Sequence, residues 1–95
     1  MISLDFKTQP ELSAQLVQRV RDIRKTRGLS QVRLAERSGV SLGSLKRFEQ
    51  AGEVSLTSFI KICMALGRGG DIDRLLSAKE YASIQEVIAD AKRDS

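Results

Sequence analysis

Apolar residues recur along this chain every three or four positions and are repeatedly stopped by glycine, the pattern of several short amphipathic helices. In "ELSAQLVQRVRDIRKTRG" the stripe is Leu12, Leu16, Val20 and Ile23, and Gly28 closes the segment. Arg24, Lys25 and Arg27 in its last turn suit the negative end of the helix dipole. Ser30 can cap a second helix, "QVRLAERS", which Gly39 stops. Ser41 caps a third, "LGSLKRFEQA", ended by Gly52, whose Leu45 and Phe48 pair with Leu34, Ala35 and Val40 of the preceding piece. Ser55 opens a fourth, "LTSFIKICMALG", with Leu56, Phe59, Ile60, Cys63 and Leu66 along one stripe and Gly67 as the stop. This fourth helix is the most hydrophobic and is expected to close the core.

The ends of the chain are less regular. The "GRGG" of residues 67–70 predicts a loop, because a phosphate-cradling glycine loop would need a preceding strand and a following Lys-Ser/Thr pair. Asp71 then caps a short helix running through Leu75 and Leu76. In the tail, Ser83 and Glu86 stand at capping-box spacing and Ile84, Val87, Ile88 and Ala91 share one face, which predicts a short final helix. Ile2, Leu4 and Phe6 alternate as a strand would, but a lone strand lacks a partner, so a frayed arm is expected. The division is an N-terminal arm (1–10), a helical domain (11–77) and a C-terminal tail (78–95).

With 95 residues, aromatic content of 4% and a single proline, the chain has room for one small all-α domain and none for a second catalytic one. The formal net charge of +4 is unevenly spread: residues 1–50 hold ten Lys/Arg against five Asp/Glu, and residues 51–95 hold six against seven. The basic half suits contact with phosphate. Cys63, the only cysteine, can form no intrachain disulfide and falls in an apolar run where it reads as a buried hydrophobe. No run is long enough to span a membrane and the start lacks the features of a signal peptide, which predicts a cytoplasmic protein with no membrane association.

Catalysis finds little support. There is no histidine, no Cys/His cluster that could hold zinc or another metal, and no motif for a cofactor; Asp71 and Asp73 fit a helix start better than acid–base work. The stretch "QVRLAERSGVSLGSLKRFEQ" is more informative. Two helices crossing steeply through a tight turn need a small residue at the crossing, a glycine in the turn and an apolar residue locking the second helix onto the first. Ala35, Gly39 and Leu45 supply these in order.

The stretch resembles the helix-turn-helix of the Cro/C1-type (Xre) repressors, and residues 12–76 resemble their whole five-helix, lambda-repressor-like domain. The likeness rests on "RVRDIRKTRGLSQVRLAERSGVS", with Gln31, Ala35, Gly39 and Val40, and on "SLKRFEQAGEVSLTSFIKICMALG", at the family's spacing without a gap. It implies that the helix from Ser41 to about Ala51 enters the major groove of double-stranded DNA while the preceding helix lies across the backbone. Gln31 and Ser44 would then bond backbone or bases, and Ser41, Leu42 and Gly43 would lie at the groove floor. Lys46 and Arg47, one turn on, would meet phosphate, or guanine for the arginine. Related domains commonly carry polar or basic side chains at the positions of Leu42 and Gly43. Leu42 here either touches a thymine methyl or belongs to the core. The resemblance further implies an ion pair of Arg24 with Glu49 that orients the recognition helix.

The expected protein is thus a sequence-specific transcriptional repressor that reads a palindromic operator as a homodimer. A narrower resemblance covers "SLGSLKRFEQAGEVSLTSFIKICMALGRGGDIDRLLS" and the tail, which are similar to antitoxins that partner HipA-like kinase toxins. It implies a toxin–antitoxin role. The alternatives are a stand-alone or phage-type repressor, or a module whose main task is to neutralise a partner protein. The tail's apolar face could meet its own domain, a dimer mate or such a partner.

Overall fold

The computed structural model describes residues 7–80 and is all-helical across them. Thr8 starts α1 (Gln9–Thr26): its hydroxyl accepts the Glu11 N–H at 3.3 Å, and Pro10 supplies a fixed φ in the first turn. That proline lets the helix begin ahead of Glu11, where the hydrophobic pattern opens. The next three helices, α2 (Gln31–Ser38), α3 (Leu42–Ala51) and α4 (Leu56–Ala65), each start behind a serine. Ser30, Ser41 and Ser55 accept the N–H groups of Arg33, Ser44 and Ser58, each at 3.1 Å. A short α5 (Gly69–Arg74) completes the set.

The core gathers where the middle helices meet. Leu34, Leu45, Ile62 and Leu66 are the most completely buried side chains, ringed by Val17, Val20, Leu29, Ala35, Val40 and Phe48. α2 packs against both α3 and α4, α1 against α3, and α5 against α4. Phe48 and Phe59 meet edge to face with centroids 5.7 Å apart, an arrangement worth about 0.5–1.5 kcal/mol beyond the area it buries. Cys63 is buried, as its apolar surroundings predicted.

The structure corrects the sequence reading in several places. Leu12 and Leu16 lie on the flank of α1, 40% and 44% exposed, while Val17 and Val20 turn inward. α1 passes over the end of α3 on its Ser13–Val17 side, where a Cβ at Gly52 would stand 3.4 Å from that of Ser13 and 3.9 Å from Val17 Cγ2, and Leu12 and Leu16 fall beside that contact. In α4 the buried stripe is Ile62, Cys63 and Leu66, with Phe59 and Ile60 half-buried; Leu56, at the first helical position, overshoots the core and is exposed. Gly69 and Gly70, expected in a loop, begin α5. Asp71 is not its cap: it sits inside the first turn and accepts from Arg68 Nε at 2.7 Å and Arg74 Nη2 at 3.0 Å. The helix ends at Arg74, so Leu75 and Leu76 follow it, both exposed, with Leu76 at a φ of 61°. The arm through Phe6 and the apolar tail face of Ile84, Val87, Ile88 and Ala91 lie outside the described residues.

Candidate nucleic-acid interface

The turn between α2 and α3 follows from its residues. Gly39 ends α2 in the left-handed conformation, φ 73° and ψ 14°, and its N–H reaches the Ala35 carbonyl at 3.0 Å. The Ser38 hydroxyl donates to that same carbonyl and accepts the Val40 N–H, both at 3.2 Å. Val40 is buried, Ser41 caps α3, and the second helix is aimed within a few residues of the first. A Cβ at Gly39 would meet nothing within 4 Å, so what favours glycine is the backbone conformation alone, not want of space. Ala35, by contrast, is buried at the crossing.

α3 divides its faces between two tasks. Leu45, Phe48 and Glu49 point inward and are buried; Ser41, Gly43, Ser44, Lys46 and Arg47 are exposed together on the outer side. Leu42 lies between, half-buried and packed against the core cluster, so only part of its side chain faces outward. The Ser41 hydroxyl is committed: it accepts the Ser44 N–H and donates to Ser44 Oγ at 2.8 Å. Ser44 therefore keeps its own O–H free to donate to an incoming acceptor. Nothing lies within 4 Å of a Cβ at Gly43, leaving open room in front of the first turn. Arg47 folds back on Glu53, its Nε 2.8 Å from Oε2, beside a polar cleft lined by Ser44, Ser55 and Ser58.

Behind this face a buried charge cluster fixes the angle of α3. Arg24 donates from Nε and Nη2 to the two carboxylate oxygens of Glu49 at 2.9 and 3.0 Å, and from Nη1 to the Leu29 carbonyl at 2.9 Å. Both residues are almost fully buried, and the bidentate geometry ties the last turn of α1 to the C-terminal half of α3. Gln31, the first residue of α2, donates from Nε2 to Glu49 Oε1 at 3.1 Å. Its amide is thus engaged inside the protein rather than held outward.

A helix-turn-helix family model matches residues 20–72, more than half of the 95 residues. The chain belongs to the Cro/C1-type helix-turn-helix family. No curated protein and no solved structure matches it significantly. The chain is a DNA-binding transcriptional regulator, and its match spans every residue of the outer α3 face together with the Arg24–Glu49 pair behind it.

Two residues of this helix-turn-helix unit escaped the sequence reading. Glu53 engages Arg47 from beyond Gly52, and no helical spacing links them. Arg21 stands 3.7 Å from Glu49 Oε1; it lies three positions before Arg24 on α1, a spacing that places both on one face and could have signalled it. The Cys63 thiol is pushed above its ordinary range by burial and by the charge of Asp71, partly offset by Arg68, which suits packing rather than reactivity. Among the described residues no His/Cys/Asp/Glu group could hold a metal, and no helix is long and apolar enough to cross a membrane.

Proposed function

We propose that this regulator is a repressor that binds a palindromic operator as a homodimer, with the first turn of α3 in the major groove. The observation that carries the reading is the division of α3, in which a buried side is pinned by Leu45, Phe48 and Glu49 while Ser44, Lys46 and Arg47 stand exposed beside open space at Gly43. Ten residues rise about 15 Å, enough to lie along a groove about 12 Å wide. Ser44 donates to a base edge or phosphate, and Leu42 offers its outer part to a thymine methyl. Lys46 neutralises phosphate, and Arg47 joins it by exchanging Glu53 for a phosphate oxygen or guanine.

One such helix reads only a few base pairs. Two-fold pairing doubles the readout and sets half-sites about one turn, roughly 34 Å, apart. Occupancy of a promoter then excludes polymerase sterically, which requires no further activity of the domain. The antitoxin reading, with a HipA-like kinase toxin as partner, rests on the resemblance of residues 41–77 and the tail alone; no observation on the described surface favours it over a stand-alone repressor.

The test is selection of the full chain against a pool of random duplexes, with the mass of the bound species measured in parallel. Enrichment of a two-fold symmetric motif bound by two chains is the expected result. Enrichment of an asymmetric site bound by one chain would overturn the homodimer, and no enrichment at all would overturn sequence-specific reading.

A further inference from the structure

The charge cluster behind α3 contains one group out of place. Among the described residues, Arg21 Nε is the single buried side-chain polar atom with no hydrogen-bond partner. A buried donor left unmade in an otherwise satisfied network calls for a reason. The Arg21 side chain as a whole is 40% exposed, but this atom is covered and stands 3.7 Å from Glu49 Oε1, beyond hydrogen-bond reach. That oxygen is already taken, by Arg24 Nη2 at 3.0 Å and Gln31 Nε2 at 3.1 Å. Arg21 therefore waits behind Gln31 for the same acceptor, in a cluster where two guanidiniums surround one carboxylate.

Gln31 is the less fixed of the two residues that donate to Glu49. It is half-buried, it opens α2, and its neutral amide bonds the carboxylate at one point, whereas Arg24 holds Glu49 with two charge-assisted bonds and Leu29 with a third. An amide N–H at the start of α2 is also a suitable donor to a phosphate oxygen. Turning it outward would strip Oε1 of one donor in a buried site. Arg21 Nε needs to move only about 0.8 Å to reach an ordinary 2.9 Å bond and restore it.

We infer that Arg21 is a positioning residue for DNA binding: when Gln31 turns to a DNA phosphate, Arg21 closes onto Glu49 Oε1 in its place, so α3 keeps its anchor while α2 gains a backbone contact. This rests on the DNA-binding reading above. The exchange conserves the number of hydrogen bonds on Glu49 and satisfies the one orphaned donor. It makes the bound state the better-bonded one inside the protein.

The test follows the arginine Nε–H signals of the full chain by 15N-edited NMR, the Arg21 signal being assigned by its loss in Arg21→Lys. In the free protein the Arg24 signal is expected downfield and protected from solvent exchange, and that of Arg21 upfield and faster to exchange. Adding a mixed-sequence duplex should move the Arg21 proton downfield and slow its exchange at least tenfold, with Arg24 unchanged. Gln31→Ala should produce the same Arg21 signature without DNA. If Arg21 stays unbonded in Gln31→Ala, the exchange is overturned whatever the protein does with DNA. If the variant shows the signature but a bound duplex leaves wild-type Arg21 unmoved, the link to DNA is overturned. Should no duplex bind at low salt, the DNA-binding reading fails instead, and the link to DNA fails with it.

Discussion

Replacing Glu49 by alanine removes the carboxylate on which Arg24 and Gln31 converge and toward which Arg21 leans. Arg24, itself only 8% exposed, would keep a single protein partner, the Leu29 carbonyl. Breaking a buried pair from one side leaves an uncompensated charge, and such changes cost about 3–5 kcal/mol. For a domain of this size each kcal/mol corresponds to about 4–8 °C, so the melting midpoint should fall by about 12 °C or more. Glu53→Ala is the matched control. Its pair with Arg47 is 58% and 71% exposed, and its loss should cost at most about 1 kcal/mol. The double change Arg24→Met with Glu49→Leu, which removes both charges, should recover most of what Glu49→Ala loses. Urea and thermal unfolding followed by circular dichroism measure all three variants. A Glu49→Ala cost no larger than that of Glu53→Ala, or a double variant that is the least stable of the set, would refute a buried-charge origin for the loss.

Alanine at Lys46 or Arg47 should weaken binding to every duplex and flatten the log–log salt dependence by about 0.9 for each phosphate that is no longer neutralised; an unchanged slope at unchanged stability would place the residue off the DNA. Ala35→Leu should destabilise by about 1–3 kcal/mol through overpacking, and Gly39→Ala by about 1–2 kcal/mol through the left-handed backbone alone. Ser44→Ala should spare stability and lower DNA affinity, so a melting-point loss as large as that of Ala35→Leu would contradict the assignment of Ser44 to the outer face. Cys63 in the folded chain should be alkylated more slowly than in denaturant, with its reactive thiolate emerging only above the ordinary thiol range; equal rates in both states would refute the burial argument.

Helix boundaries were legible in the sequence because they are written in local chemistry. Ser30, Ser41 and Ser55 bond the backbone three residues on, and Gly39 and Gly52 take a conformation other residues resist. Which side of each helix faces in was only partly legible. Leading into Val20, periodicity is satisfied by Leu12 and Leu16 or by Ser13 and Val17, and it is the second pair that lies against Gly52, a residue distant in sequence. The start of α5 was hidden because two glycines argue for a loop, and the Arg68–Asp71–Arg74 charges that support its first turns become neighbours only once it is helical. At the site, the family resemblance pointed to the outer face of α3 but not to the engagements of Gln31 with Glu49 and Arg47 with Glu53, which depend on how separate elements meet.

The first turn of α3 is proposed to read bases, and Gly43 offers the most direct test because a Cβ there meets nothing within 4 Å. Gly43→Gln places a group that can bond adenine in bidentate fashion, worth about 1–3 kcal/mol against the wrong base. Selection of this variant from random duplexes, beside the wild type, should return the same motif altered at one or two adjacent base pairs in each half-site, with adenine newly preferred there. An identical motif from both proteins, at equal stability, would contradict the claim and move base reading away from α3.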